Sequence, residues 1–167
     1  MSKGIPGDSY CFALTAIITV FYQLFFFFIA AYFKFDKVTD LAGGSNFVIL
    51  AVVSFAVECS SDPSSRQATI TAIVIFWGLR LSSFLFYRIL MISEDHRFDE
   101  MRGNPLKFLA FWIFQMLWVW VVCLPMVFLN SIEDHRKINA GDVVGFVLSI
   151  MGIIIEASAD QTKFNFK

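Results

Sequence analysis

Polar residues along this chain gather in a few short clusters, and long apolar stretches separate them. Five such stretches can be marked, at Cys11–Phe33, Leu41–Val57, Ala68–Ile92, Lys107–Asn130 and Val143–Ala157. Each comes near the ~17–25 residues that a helix needs to cross a bilayer. The first, CFALTAIITVFYQLFFFFIAAYF, contains no charged residue. The connectors are KFDKVTD, ECSSDPSSRQ, SEDHRFDEMRGNPLK and SIEDHRKINAGD. No stretch shows the period of two that marks a half-buried strand, and an open sheet edge in lipid would leave backbone groups unsatisfied. The pattern therefore predicts an all-α, polytopic transmembrane bundle of about five spanning helices, forming one membrane-embedded domain over residues 1–167.

Punctuation refines these boundaries. Gly43-Gly44 stands near the start of the second stretch and predicts a late or angled entry. Gly103-Asn104-Pro105 stops one element, and Pro105 is suited to open the next helix. Pro125, inside the fourth stretch, predicts a kink, because proline removes a backbone donor and crowds the preceding turn.

Composition strengthens the membrane reading. Of 167 residues, 57% are hydrophobic and 17% aromatic, and 21 are phenylalanine, more than one small core could hide. The first stretch is longer than the ~7–15 apolar residues of a secretory signal and ends in bulky aromatics, so it reads as a retained helix. Membrane lipids are thus one expected partner. A net charge of −1 with no basic stripe gives no footing for nucleic acid. Cys11, Cys59 and Cys123 lack metal-ligand spacing and read as buried thiols, and His96 and His135 as loop histidines.

Lysine and arginine also predict orientation. With five crossings, Lys3, Arg66, Arg136 and Lys137 fall on one side. Lys34, Lys37, Arg97, Arg102, Lys107, Lys163 and Lys167 fall on the other. The richer side is expected to be cytosolic, which puts the amino terminus in the lumen or exterior and the carboxy terminus in the cytosol.

The chemistry is concentrated in charges that an apolar helix should not carry. Arg80 lies about twelve residues into the third stretch, roughly 18 Å of helix. At that depth an arginine costs at least ~2.5–3.5 kcal/mol unless it is paired or reaches water. Trp77, Arg80, Phe84, Tyr87 and Arg88 follow helical spacing and are expected to share a face. Glu156 and Asp160 pose the mirror problem at i, i+4, and Lys163 and Lys167 extend their face. The economical solution is a pair across the bundle, with Arg80 or Arg88 meeting Glu156 or Asp160; a purely structural interhelical bridge is the competing explanation. In the loop SEDHRFDEMR, Arg97 and Arg102 could grip phosphates as bidentate donors, or belong to a solvated, self-neutralised connector.

The ordered set WGLRLSSFLFYRI, EDHRFDEMR and IEASADQTKFNF, with TDLAGGSNF earlier, resembles the steroid 5-alpha-reductase-like superfamily. The closer likeness is to its branch of multispanning proteins that carry a steroid-reductase carboxy-terminal domain. The resemblance implies an endoplasmic-reticulum or other endomembrane enzyme. It would use NADPH to reduce a carbon–carbon double bond conjugated to a carbonyl in a hydrophobic lipid or sterol-like substrate. It implies that Glu156, Asp160 and Lys167 contact the cofactor, with Lys163 beside them, and that Arg80 and Arg88 line the same pocket. Asp40 would take the part of the catalytic acid. Where the steroid enzymes carry a catalytic tyrosine this chain has Trp77, whose indole N–H donates a hydrogen bond but does not release a proton as a phenol does. The family also continues into further helices and an arginine-histidine-proline signature that these residues lack. The expectation is therefore a truncated product, corresponding to the amino-terminal part of a longer fold and inactive alone. Two other classes stay open: a prenylcysteine-type membrane methyltransferase, whose family shares that signature, and a non-catalytic membrane interaction protein.

Overall fold

A computed structural model describes residues 8–33, 38–58, 63–91, 105–133 and 136–166. Among these the architecture is five helices and no strand: α1 (Phe12–Phe33), α2 (Val38–Glu58), α3 (Ser65–Met91), α4 (Pro105–Ser131) and α5 (Ala140–Asn165). All five are long and apolar enough to cross a membrane. The chain is an integral membrane protein with an all-α fold.

α2, α4 and α5 overrun their apolar stretches at both ends, and α3 does so at its start. α2 begins at Val38 rather than beyond the glycine pair, so Gly43 and Gly44 lie inside it. α5 continues past Ala157 to Asn165 and carries Asp160, Lys163 and Phe164 on the same continuous helix. α4 opens on Pro105, as the sequence predicts, and Pro125 sits inside it. Asn139 caps α5: its side chain accepts from the Asp142 backbone N–H at 3.0 Å, and the Asp142 carboxylate accepts from the Asn139 N–H at 3.0 Å. This reciprocal pair satisfies two of the donors that every helix start leaves open.

The first four helices form a bundle with α2 at its centre, in contact with α1, α3 and α4; α1 also packs on α4. One apolar cluster joins Cys11, Phe47, Leu50, Ala51, Val119, Cys123, Met126 and Val127, and a second joins Ala30, Ala42, Phe108, Trp112 and Met116. In lipid, burial of apolar surface does little to drive helices together, and close packing and polar contacts matter more. Both occur here. Gly44 lets α3 approach so closely that a Cβ at that position would lie 2.5 Å from Ser82 Oγ. Asn130 Nδ2 donates to Ser54 Oγ at 3.0 Å and to Thr71 Oγ1 at 3.1 Å, tying α4 to α2 and α3. Gln115 Nε2 donates to Gln23 Oε1 at 3.0 Å and to the Thr39 carbonyl at 3.1 Å, tying α4 to α1 and α2.

α5 stands apart from this bundle. Among the described residues it has none that is buried, and of the other four helices it touches α3 alone. Its apolar positions, Val143, Val144, Val147, Leu148, Ile150, Met151, Ile154 and Ile155, are exposed. What holds it is a polar seam along α3.

Candidate functional site: a charged seam between α3 and α5

The seam begins where two helices start. Arg66, in the first turn of α3, places Nε 2.8 Å from Asp142 Oδ1, in the first turn of α5. An acidic residue there is favoured by the positive end of the helix dipole as well as by the guanidinium. Further along, Trp77, Arg80, Phe84 and Tyr87 recur with helical spacing on α3 and meet Glu156, Asp160 and Phe164 of α5.

The centre of the seam is Arg80. Its Nη1 donates to Asp160 Oδ2 at 2.5 Å, and its Nη2 lies 3.0 Å from Glu156 Oε1, an ion pair without hydrogen-bond alignment. The other Glu156 oxygen, Oε2, accepts from Trp77 Nε1 at 2.7 Å. One guanidinium thus spans two carboxylates that a turn of helix places side by side and that would otherwise repel. Below it, the Phe164 ring lies 5.6 Å from Tyr87 and 6.5 Å from Phe84, centroid to centroid, a tilted and an edge-on contact of the kind aromatic rings favour.

Arg88 takes a different partner from the one available to Arg80. Its Nη2 donates to Asp40 Oδ2 at 2.6 Å, so it joins α3 to α2 rather than to α5. The reason is rotational. Eight residues turn a helix about 80° beyond two full turns, which carries Arg88 off the line of Trp77, Arg80 and Phe84. Asp40, the candidate acid, is therefore held in its ion pair as an acceptor, about two helical turns along α3 from Arg80. Lys163 is exposed on the last turn of α5, three residues past Asp160. Arg97, Arg102 and Lys167 lie outside the described residues, as does Cys59.

Three partnerships in this region carry no mark in the linear pattern. The Arg66–Asp142 pair joins two connector-edge residues, whose only shared signal is that both open a span on the same side. Trp77 to Glu156 looks like an aromatic core position until the indole finds a carboxylate. Asp40 with Arg88 links residues that simply start one helix and end another at the same membrane face. Replacing Trp77 by Phe keeps the ring packed on Phe47 and removes one charge-assisted hydrogen bond. The expected result is a loss of about 1.5–3 kcal/mol, read as a lower unfolding midpoint in detergent titration with helix content retained.

Among the described residues, five helices long and apolar enough to cross a membrane, four of them bundled and the fifth attached through charged side chains, define a polytopic α-helical membrane protein with an ionic cluster between two of its helices. Residues 26–167 match the family described as a protein of unknown function (DUF1295), and the chain belongs to that family. No curated protein and no solved structure matches it.

Proposed function

We propose that this chain belongs to a membrane reductase that uses NADPH to saturate a conjugated carbon–carbon double bond in a lipid or sterol-like substrate. The observation that carries the reading is the Arg80–Glu156–Asp160 cluster with Trp77 beside it, in which Arg80 and Glu156 stand within apolar stretches of α3 and α5. Charged groups placed there are expensive and tend to be kept for chemistry. The motifs around these residues, which resemble the steroid 5-alpha-reductase-like superfamily, supply the reaction class.

The donor set suits the hydroxyl- and amide-bearing parts of a dinucleotide. Glu156 and Asp160 would accept from ribose hydroxyls or a carboxamide. Phosphates need cations, and Arg80 and Arg88 already face carboxylates. In this reading Lys163, with Arg97, Arg102 and Lys167, supplies that charge. When bound, NADPH provides hydride for the β-carbon of the substrate. This chain's part is to hold both molecules in a dry site and to stabilise the enolate oxygen with a donor such as Trp77. The α-carbon takes its proton from water in the end; Asp40 would relay it only after its pair with Arg88 opens and the carboxylate has itself taken up a proton. The reading places the protein in the endoplasmic reticulum or another endomembrane, with the seam's Glu156–Asp160 end toward the cytosol.

A second reading is favoured by one specific feature: of the described helices α5 touches α3 alone, so the cluster could serve only as an interhelical lock. Calorimetric titration of the full chain in lipid nanodiscs with NADPH, NADH and S-adenosylmethionine separates the cases. The reductase reading expects NADPH to bind, NADH at least tenfold more weakly for want of the 2′-phosphate, and folded Arg80→Met to lose binding. Uptake of S-adenosylmethionine instead would point to a methyltransferase. No nucleotide bound, with Arg80→Met affecting stability alone, would leave the lock.

A further inference from the structure

We infer that Phe47 is a positioning residue of the charged seam: it fixes the Trp77 indole and, through it, the orientation of the Glu156 carboxylate. Phe47 is fully buried on α2. Its ring centroid lies 4.8 Å from that of Trp77 at an interplanar angle of 60°, and 5.3 Å from that of Trp118 at 89°. Both are edge-on contacts, which the charge distribution of aromatic rings favours and which define how one ring stands against the next. α3 can bring Trp77 to this ring because the residue beside it is glycine. A Cβ at Gly78 would come 2.8 Å from Val48 Cγ2 and 3.6 Å from Phe47 Cβ. Close packing on two aromatic neighbours leaves Phe47 little freedom to turn.

Burial and attachment give the direction of control. The indole has a single N–H, which donates to Glu156 Oε2 at 2.7 Å. Such a bond weakens steeply as its angle closes, so it lasts only while the ring is held. Glu156 is poorly placed to hold it. Its side chain is long, 35% exposed, and carried by a helix that touches α3 alone among the other described helices. Phe47 belongs to the helix at the centre of the bundle. The order therefore runs from buried ring to indole to carboxylate. With Oε2 bonded to the indole and Oε1 facing Arg80, the plane of the Glu156 carboxylate is set. This inference goes beyond the reductase reading and stands whether or not a nucleotide binds, because it concerns how the cluster itself is held.

The test is nuclear magnetic resonance of the full chain in nanodiscs with nitrogen-labelled indoles. Of the four tryptophans, the Trp77 N–H is the signal that Trp77→Phe removes. Glu156→Gln marks where that signal falls when its acceptor loses the charge. Phe47→Leu is expected to move the Trp77 signal toward that position and to broaden it. Val127→Ala, a truncation at an equally buried position of the same apolar cluster, should lower the unfolding midpoint and leave the signal in place. In the opposite direction, Glu156→Ala should shift the signal but keep it single, because Phe47 still holds the ring. A Trp77 signal unmoved by Phe47→Leu would overturn the inference and leave Phe47 as packing alone. So would a signal that splits in Glu156→Ala, since the carboxylate would then be what orients the indole. If Phe47→Leu fails to fold, the Glu156→Ala spectrum decides the question.

Discussion

Arg80→Met is expected to lower stability by about 2–3 kcal/mol and to free α5 from the bundle. Removing one partner of a fully buried ion pair costs ~3–5 kcal/mol, because the other charge is left without compensation. Here two carboxylates are abandoned at once. The three side chains, however, are between 18% and 35% exposed, which reduces the penalty for each. The variant that removes all three charges, Arg80→Met with Glu156→Gln and Asp160→Asn, should recover most of the loss. A deficit in the single variant arises from stranded carboxylates, and the triple variant has none. Denaturant titration of helix content in detergent measures both. Equal losses in the single and triple variants would show that the guanidinium contributes packing rather than charge balance.

Gly44→Val is expected to destabilise the bundle by about 1–3 kcal/mol, through overpacking at the contact of α2 with α3. A Cβ at Gly44 would lie 2.5 Å from Ser82 Oγ and 3.3 Å from both Ser82 Cα and N. The hydroxyl can rotate away, but the α3 backbone cannot yield without moving the helix. Gly78 sits on the other side of the same contact, where a Cβ would come 2.8 Å from Val48 Cγ2 and 3.4 Å from the Gly44 carbonyl oxygen. Gly145→Ala is the internal control. With open space around it, that change should be neutral or slightly stabilising, since alanine is the better helix former. Unfolding midpoints of the two variants should therefore move in opposite directions, or the first alone should move.

Much of the architecture can be read from the chain because lipid permits so few solutions. A run such as Cys11–Phe33 without charge has to be a spanning helix, and Arg80, Glu156 and Asp160 in apolar surroundings have to find one another. That encounter across α3 and α5 is present. The rotation of Arg88 toward Asp40 was less legible. A face drawn to include both Arg80 and Arg88 is about 80° wide, and two neighbouring helices can share it. Gly43-Gly44 misleads for a related reason. Glycine weakens a helix intrinsically, yet between packed membrane helices it permits close approach, and only the position of α3 distinguishes the two. Gln23, Gln115, Asn130 and Thr71 likewise look like isolated polar residues within spans; their partners lie on helices distant in the sequence.

The claim on which the rest depends is that charges inside the membrane fix α5 against α3. Pulsed electron-spin resonance between labels at Ser83 and Ser158, both exposed, tests it in nanodiscs after replacement of the native cysteines. The expected outcome is one narrow distance distribution that broadens markedly when Arg80→Met is introduced. A distribution already broad with Arg80 in place, or a narrow one unchanged by its removal, would contradict the account.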